Sequence, residues 1–480
     1  MDKILNYING TLVEPINNNY LDVYNPATGE IYTQAASSDN QDVDQAVSAA
    51  KAAFPSWSKL SNDERSRYLM KIADKIEEQL EMFSKAESED NGKPLKLARI
   101  VDIPRASSNF RFFANAITQY ASQAHEMRDV AINYTIKNPL GVIGAISPWN
   151  LPLYLFSWKI APALAAGNCV VAKPSEVTPL TAYLLSKVCI EIGLPPGVLN
   201  IVHGLGPEVG SAITKHPDIK AISFTGSTNV GREIATVAAP MFKKLSLEMG
   251  GKNPNIIFAD CDYNAMLKTT INSSFSNQGQ ICLCGSRIFV ESKIYEKFKV
   301  DFIEKARKLA VGHPSNPETK IGAIVSKPHY EKILSYIELA KTEGGNIVLG
   351  GNSIHPSGYE NGWYIEPTII EGLNYMCRTN QEEIFGPVVS ITPFETEEEV
   401  LRMANSTKYG LSATLWTENL SRAHFIANEL EAGIVWINTW LLRDLRTPFG
   451  GVKNSGIGRE GGFDALDFFT EPKNICIKYN

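Results

Sequence analysis

The chain has 480 residues, of which 44% are apolar, 9% aromatic and 20% charged, a composition typical of globular proteins and unlike that of disordered or fibrous ones. At about 150 residues per domain, this length predicts roughly two to four domains. The formal net charge of −6 gives no electrostatic signature of a nucleic-acid or anionic-membrane partner, and seven cysteines without regular spacing predict a reduced, intracellular protein.

The sequence begins MDKILNYING, which lacks the apolar core and basic flank of a secretory signal. Prolines and a lysine interrupt the most apolar stretch, residues 140–166, so no apolar run of about 20 residues is long enough to span a bilayer. We therefore expect a cytoplasmic protein. Short strands with turns at Asn9-Gly10 and at Pro26 to Gly29 are predicted first, and amphipathic helices that include residues 43–50 and 69–80 follow them.

Between residues 141 and 249, short β-branched segments alternate with helical ones. The predicted strands lie in GVIGAIS, NCVVAKP, GVLNIVHG, IKAISFTGS and KKLSLEMG. This alternation predicts a parallel sheet with helices on both faces, and ligands bind such sheets beyond the carboxyl ends of the strands. The residues that follow each strand are therefore candidate ligand contacts.

A second alternating series extends from about residue 255 to 449 and predicts a second α/β domain. Its predicted strands include PNIIFAD, SRIFVES, NIVLGG and GPVVSITPF. Residues 466–478 alternate weakly between apolar and polar side chains, which predicts an edge strand used for association.

The segment SNQGQICLCGSR places Cys282 among small, turn-forming residues. A thiolate is strongly nucleophilic towards a carbonyl carbon, so a cysteine in a loop is a candidate catalytic nucleophile. Taken alone, the stretch favours a buried structural cysteine, and this stays the interpretation for Cys284. The C-x-C pair has no histidine cluster beside it, so no metal site is predicted.

Three further motifs follow predicted strands, and each has an ordinary alternative. Glu248 in LEMGGKNP is a candidate general base or a solvated surface carboxylate. Gly226 and Gly231 open a helix where backbone N–H groups can meet a phosphate, although a lone glycine pair more often marks a plain turn. Lys173 and Glu176 in AKPSE suit an adenosine ribose or form a surface ion pair.

The joint order of the motifs carries more weight than any one of them. The chain resembles the aldehyde dehydrogenase superfamily in SPWN, KPSE, FTGSTNVG, LEMGGKNP, GQICLCGSR, EEIFGPV and PFGGVKNSGIGREGG, and the resemblance covers essentially its whole length. It implies an α/β fold with two parallel-sheet domains and a small β arm. The implied units are a Rossmann-like NAD-binding domain (1–117 and 139–248), a catalytic domain (249–460) and an oligomerisation arm (118–138 and 461–480).

The resemblance also implies a mechanism. The Cys282 thiolate attacks an aldehyde, hydride passes to NAD⁺, and the resulting thioester is hydrolysed to a carboxylic acid. The Asn150 side chain and the Cys282 backbone N–H are expected to form the oxyanion hole. Glu248 is expected to activate the deacylating water and to relay the thiol proton. Relatives that transfer the acyl group to coenzyme A generally lack this glutamate, so a free acid is the expected product.

The implied cofactor contacts begin at the adenosine ribose with Lys173 and Glu176. Glu176 favours NAD over NADP because its carboxylate would repel a 2′-phosphate. The other expected contacts, with the pyrophosphate and nicotinamide ends, are Gly226, Ser227, Gly231, Trp149, Glu383 and Phe385. The expected partners are a small-molecule aldehyde and further copies of the chain in a homodimer or homotetramer, with no nucleic acid or membrane.

Four segments resemble one branch of the family, the 2-aminomuconate and 2-hydroxymuconate 6-semialdehyde dehydrogenases: DIPRASSNFRFF, SPWNLPLYLFSWKIAPAL, GQICLC and NTWLLRDLRTPFGG. The carboxylate of such a substrate needs a cation, and Arg offers two parallel donors. Arg105 and Arg443 are the predicted anchors, with Trp158 as a further substrate contact and Arg111 and Arg446 as alternatives. A betaine-aldehyde, aminoaldehyde or aliphatic aldehyde dehydrogenase is the alternative function, and a non-catalytic protein of the same fold is a further one.

Overall fold

Within residues 3–480, which this computed structural model describes, the chain forms two large β-sheets, a three-stranded sheet and three two-stranded ribbons. The predicted α/β class is confirmed. No helix in this range combines the length and the apolar character that a membrane crossing requires. The helices of seven or more residues are Asn40–Trp57, Asn62–Glu78, Leu80–Asn91, Ile103–Thr118, Pro152–Ala165, Leu180–Glu191, Thr228–Ala238, Tyr263–Phe275, Ser292–Arg307, Lys327–Thr342, Glu397–Asn405, Leu420–Glu429 and Gly462–Phe468.

The first sheet contains all five strands predicted between residues 141 and 249, and these five are parallel. They are almost wholly buried, as a sheet covered by helices on both faces requires. Their carboxyl ends therefore lie along one edge. The order of the eight strands described is Thr11–Val13, Asn6–Ile8, Leu199–Ile201, Cys169–Lys173, Val142–Ile146, Ile219–Thr225, Lys244–Glu248 and Gly456–Ile457.

The second sheet begins directly after the first one. The chain leaves the carboxyl end of Lys244–Glu248 and enters Pro254–Ile257 within a few residues, so the carboxyl edge of the first sheet lies next to the second. Its strands are parallel apart from the first, which pairs antiparallel with the second. Their order in the sheet is Asn346–Leu349, Thr368–Glu371, Val388–Phe394, Arg287–Glu291, Pro254–Ile257, Ser412–Trp416 and Ile434–Ile437.

The third sheet is antiparallel and joins distant parts of the chain. The C-terminal strand Thr470–Lys478 pairs with Ala131–Pro139 over nine residues, and Ala124–Met127 forms the other edge. The two outer strands are largely exposed. The preceding helix, Gly462–Phe468, packs into the core of the first sheet, so the third sheet is attached to that part of the molecule. The two-stranded ribbons pair Tyr20–Asn25 with Glu30–Ala36, Ser353–Ile354 with Tyr364–Ile365, and Tyr409–Gly410 with Val452–Lys453.

Candidate active site

Two cavities meet at Cys282, in the cleft between the two large sheets. One, of about 230 Å³, lies beyond the carboxyl edge of the first sheet. The other, of about 60 Å³, lies on the far side and has mostly apolar walls. Cys282, Thr225 and Met249 border both cavities. Groups held in the two cavities would therefore both lie beside Cys282.

The loop that carries Cys282 is held by the side chain of Asn253, which lies just before the second-sheet strand Pro254–Ile257. The amide of Asn253 donates to the carbonyl of Cys282 over 2.6 Å and to that of Cys284 over 2.9 Å. Just before the loop, Asn277 and Gln278 adopt left-handed backbone conformations, with φ of 51° and 57°. Asn253 lies in the LEMGGKNP motif, but its contact with a loop some 30 residues away has no signal in the sequence.

The electrostatic surroundings of Cys282 favour the protonated thiol. Burial raises its pKa, the negative charges of Glu383 and Glu248 raise it further, and Arg443 opposes them. A nucleophile of this kind needs a base to remove its proton. Cys284 is buried, and burial raises its pKa to about 12, which agrees with the structural interpretation of this residue.

Asn150 and the backbone of Cys282 offer hydrogen-bond donors at the cavity. The Asn150 side-chain amide donates one hydrogen bond, over 2.9 Å, to the carbonyl of Gln280, which leaves its second N–H free. Across residues 3–480, the Cys282 backbone N–H meets no acceptor. Both are donors of the kind that can stabilise a developing oxyanion, the role that the family resemblance implies for them.

Glu248 ends the strand Lys244–Glu248 and borders the smaller cavity. It is 3% exposed, and neither carboxylate oxygen has a hydrogen-bond partner among the described residues. Burial raises its pKa well above the usual value, Glu460 raises it further, and Lys159 opposes the shift. A carboxylate with a raised pKa and free oxygens suits a general base.

A buried polar network lies behind Glu248. The Lys159 ammonium forms an ion pair with Glu460 over 2.9 Å, and the Ser223 hydroxyl donates to the same Glu460 oxygen over 3.0 Å. Glu460 borders the smaller cavity together with Glu248. The sequence motifs did not indicate this network, because its members are separated by up to 301 positions.

Three aromatic rings line the larger cavity. Trp149 lies 5.2 Å from Phe385 and 4.9 Å from His329, measured between ring centroids. The carbonyl of Phe385 accepts a 2.7 Å hydrogen bond from His329 Nε2, and Phe385 itself has a φ of 63°. Burial lowers the pKa of His329 to about 4, so the ring is neutral at physiological pH. His329 was not among the predicted site residues.

Glu383 closes the larger cavity opposite the first sheet. Its carboxylate accepts a 2.9 Å hydrogen bond from the Gly251 backbone N–H, and Lys332 donates to its carbonyl over 3.1 Å. A Cβ at Gly250 would lie 2.3 Å from a Glu383 oxygen, which explains the need for glycine there. Burial raises the pKa of Glu383.

The glycine turn after Ile219–Thr225 contributes two residues to this cavity. Gly226 and Ser227 line it, and the Ser227 hydroxyl accepts from the Val230 N–H at the start of the helix Thr228–Ala238. Gly231 lies below this surface, where a Cβ would be 2.3 Å from the Met249 sulfur. Its missing side chain allows the helix to pack on the sheet.

Lys173 and Glu176 lie farther along the same edge. The buried Lys173 ammonium forms a 2.8 Å ion pair with the half-exposed Glu176. A third cavity, of about 890 Å³, reaches this end of the site at Glu176. Cys282 does not border it.

The smaller cavity contains one of the predicted arginines. Arg443 Nη1 donates to the Tyr154 hydroxyl over 3.0 Å, and the guanidinium lies 4.0 Å from the Phe449 ring centroid. Its Nη2 is buried without a hydrogen-bond partner in residues 3–480. The smaller cavity, which Cys282 also borders, is therefore lined by a buried cation with a donor that has no partner among the described residues.

The other predicted substrate contacts do not border the smaller cavity. Arg105 lies 5.8 Å from the Tyr154 ring, and Trp158 lies 5.2 Å from the Arg443 guanidinium, but neither borders the cavity. Arg111 forms ion pairs with Asp74 and Glu77 on the surface. The exposed Arg446 forms one with Asp444, so both alternatives lie outside the site.

A family model described as the aldehyde dehydrogenase family matches residues 13–475. The chain belongs to the aldehyde dehydrogenase family. The family resemblance seen in the motifs and the predicted enzyme class are confirmed.

Relatives of known name agree with the predicted branch of the aldehyde dehydrogenases. The chain is 51% identical to the 2-aminomuconic semialdehyde dehydrogenase of Danio rerio, with 99% of this chain and 98% of the relative covered. It is 47% identical to the 2-hydroxymuconic semialdehyde dehydrogenase of Pseudomonas sp. (strain CF600), with both chains covered completely. The structure of an aldehyde dehydrogenase from Bacillus cereus in complex with NAD⁺ matches with a TM-score of 0.97 at 41% identity, over 100% of this chain and 97% of that one.

Proposed function

We propose that the protein oxidises a carboxylated semialdehyde, such as 2-aminomuconate or 2-hydroxymuconate 6-semialdehyde, to the acid with NAD as cofactor. The relatives that carry these names support the substrate class. The free Nη2 of Arg443 supports it most directly, because a carboxylate in the smaller cavity would satisfy this buried donor. The same cation disfavours a betaine aldehyde, whose ammonium group it would repel.

Cys282 is the proposed nucleophile. Its proton passes to the Glu248 carboxylate and from there to solvent, its sulfur bonds to the aldehyde carbon, and the carbonyl oxygen takes the electron pair of the C=O π bond and becomes an alkoxide. The free N–H of Asn150 and the backbone N–H of Cys282 donate to this oxygen. The thiohemiacetal then loses a hydride from its carbon, which leaves a thioester on the sulfur.

The chemistry of the 230 Å³ cavity suits the nicotinamide and pyrophosphate end of NAD. The Trp149 and Phe385 rings offer flat apolar surfaces to the nicotinamide, and the Gly226–Ser227 turn offers backbone donors to the pyrophosphate. Lys173 and Glu176 are the proposed ribose contacts, and Glu383 holds the nicotinamide end. NAD⁺ supplies the acceptor for the hydride. Glu176 favours NAD over NADP because a 2′-phosphate would meet its carboxylate.

Glu248 is proposed to complete the cycle. Its free carboxylate oxygens border the cavity that contains Cys282, so it can take a proton from a water molecule that attacks the thioester. The water oxygen bonds to the acyl carbon, the carbon–sulfur bond breaks, and the carboxylic acid leaves. The leaving thiolate takes the proton held by Glu248, which restores both the thiol and the free carboxylate for the next turnover.

The third sheet is the proposed association surface, in a homodimer or homotetramer. Its outer strands, Ala124–Met127 and Thr470–Lys478, are largely exposed, and an exposed strand edge pairs readily with another chain. The seven free cysteines support a reducing, cytoplasmic location.

The proposal is tested by steady-state kinetics of NADH formation with 2-hydroxymuconate semialdehyde, betaine aldehyde and hexanal. We expect kcat/KM for the carboxylated semialdehyde to exceed the other two values by at least about 10²-fold, the size of one well-formed charged contact. Equal values for hexanal and the semialdehyde would reject the substrate class, and no turnover of any aldehyde would reject the activity.

A further inference from the structure

Lys93 carries a fully buried positive charge outside both cavities. It is 0% exposed, and its ammonium lies 2.6 Å from an Asp102 oxygen and 3.6 Å from a Glu87 oxygen. The same ammonium donates a 3.1 Å hydrogen bond to the backbone carbonyl of Asn150. Burying a cation costs free energy unless charged partners compensate it. The contact between Lys93 and Asn150 therefore requires the two buried carboxylates beside the ammonium.

Other donors converge on the same backbone. The Asn277 side chain donates to the Asn150 carbonyl over 3.0 Å and to the Gln280 carbonyl over 3.2 Å. Asn91 donates to the Trp149 carbonyl over 2.9 Å. The side chain of Asn150 itself donates to Gln280, so its carbonyl and its amide are both tied to the segment that leads into Cys282.

We propose that Lys93 is a positioning residue that fixes the Asn150 amide relative to Cys282. Asn277, which precedes the Cys282 loop, and Lys93, which follows the helix Leu80–Asn91, both donate to the Asn150 carbonyl. Asp102 keeps the ammonium in place. This inference rests on the proposed function, because it assumes that the Asn150 amide donates to the oxyanion.

The expected effect follows from what Asn150 contributes. Loss of one oxyanion donor reduces the rate by about 10² to 10³-fold, and a displacement of about 1 Å can cost about 10²-fold. Loosening of Asn150 should therefore lower kcat by about 10 to 100-fold. KM for NAD should stay within about two-fold, since Lys93 lies outside the cavity that is proposed to hold it.

The experiment is a double-mutant cycle on the full-length enzyme. Removal of Lys93 alone would leave Asp102 buried and unpaired, so the test variant combines Lys93→Gln with Asp102→Asn. This change is made in the wild type and in Asn150→Ala. Lys85→Gln, which removes an exposed lysine from the neighbouring helix Leu80–Asn91, is the matched control.

We expect the combined change to lower kcat by 10 to 100-fold in the wild type and by less than about two-fold in Asn150→Ala, because it acts through a group that is already missing. If the combined change lowers kcat by the same factor in the wild type and in Asn150→Ala, the two effects are independent. That result would overturn the inference and leave the proposed function intact. An unaltered kcat in Asn150→Ala would instead reject the proposed role of Asn150. Lys93→Arg retains the charge but changes the donor geometry. If the neutral variant does not fold, Lys93→Arg is measured in the wild type and in Asn150→Ala instead, and the same comparison of kcat tests the inference.

Discussion

Arg443 donates to the hydroxyl of Tyr154 over 3.0 Å and keeps a second terminal nitrogen free. The guanidinium is planar, so one hydrogen bond together with the contact to the Phe449 ring fixes the direction of the free N–H group. A donor that is oriented before the substrate arrives loses little conformational entropy on binding. The pair therefore suits recognition of a substrate carboxylate at a fixed distance from Cys282.

Replacing Arg443 with Ala should weaken catalysis selectively for carboxylated substrates. Loss of one charged partner of a desolvated pair reduces kcat/KM by about 10² or more, mainly through KM, whereas hexanal has no carboxylate to lose. The measurement is kcat/KM for 2-hydroxymuconate semialdehyde and for hexanal in both enzymes. Arg446→Ala is the matched control, since Arg446 is exposed and paired with Asp444. Equal losses for both aldehydes would contradict the anchor role.

The two cysteines of the C-x-C pair should behave differently. Cys282→Ser should abolish NADH formation, because the less acidic hydroxyl is a far weaker nucleophile at neutral pH. Cys284→Ser should retain most of kcat, with a lower thermal midpoint because it places a hydroxyl in a buried site. Both are measured by NADH absorbance and by thermal unfolding. Full activity in Cys282→Ser would contradict its role as the nucleophile. Loss of activity in a folded Cys284→Ser variant would contradict the structural role of Cys284.

Glu176 should determine the choice between NAD and NADP. Its carboxylate is held by Lys173 over 2.8 Å, so neutralising Glu176 removes the repulsion and leaves a cation for the 2′-phosphate. In Glu176→Gln we expect KM for NADP to fall by about ten-fold and KM for NAD to rise by a few-fold. Steady-state kinetics with each cofactor measure both values. If NADP is used no better, Glu176 does not face the 2′ position.

His329 is expected to act through Phe385. The 2.7 Å hydrogen bond to the Phe385 carbonyl supports a residue with positive φ, a conformation that costs free energy in a non-glycine residue. His329→Ala should raise KM for NAD by about ten-fold, and His329→Gln should restore much of the affinity because it retains a side-chain donor. Since the pKa of His329 is about 4, the difference between the variants should not change between pH 6 and 8. A pH-dependent difference would contradict this role.

The sequence predicted the regular part of the molecule well. The five central strands were visible because a parallel sheet buried on both faces requires short, nearly continuous apolar segments, and the predicted motifs followed their carboxyl ends. Glu248 and the Gly226–Ser227 turn lie at those ends in the structure.

The supporting contacts could not be predicted in the same way. Lys93 is 57 residues from Asn150, and His329 is 56 residues from Phe385. A single lysine or histidine on a helix or loop produces no periodic pattern, and its partner is determined only by how the helices and loops pack around each sheet. Gly231 shows the opposite difficulty. Its place in a glycine turn predicts a contact with the cofactor pyrophosphate, but in the structure the residue packs against the Met249 side chain.

The raised pKa of Glu248 should be visible in the pH dependence of deacylation. A carboxyl group acts as a base only when it is deprotonated, so kcat should fall as the pH drops through the pKa of Glu248 in the folded enzyme. Burial and the charge of Glu460 raise this pKa, so the fall should occur above the pH expected for an ordinary glutamate, about 4.3. Glu248→Gln should lack this acid limb and turn over about 10² to 10⁴-fold more slowly.

Rapid mixing separates this role of Glu248 from a role in thiol activation. If Glu248 serves mainly in hydrolysis, Glu248→Gln should release about one equivalent of NADH per active site in a fast burst and then proceed slowly, because the thioester on Cys282 accumulates. Glu460→Gln removes the neighbouring charge but leaves the base in place, and should shift the acid limb of kcat to lower pH. A slow first turnover in Glu248→Gln, without a burst, would place its main contribution at deprotonation of Cys282 instead.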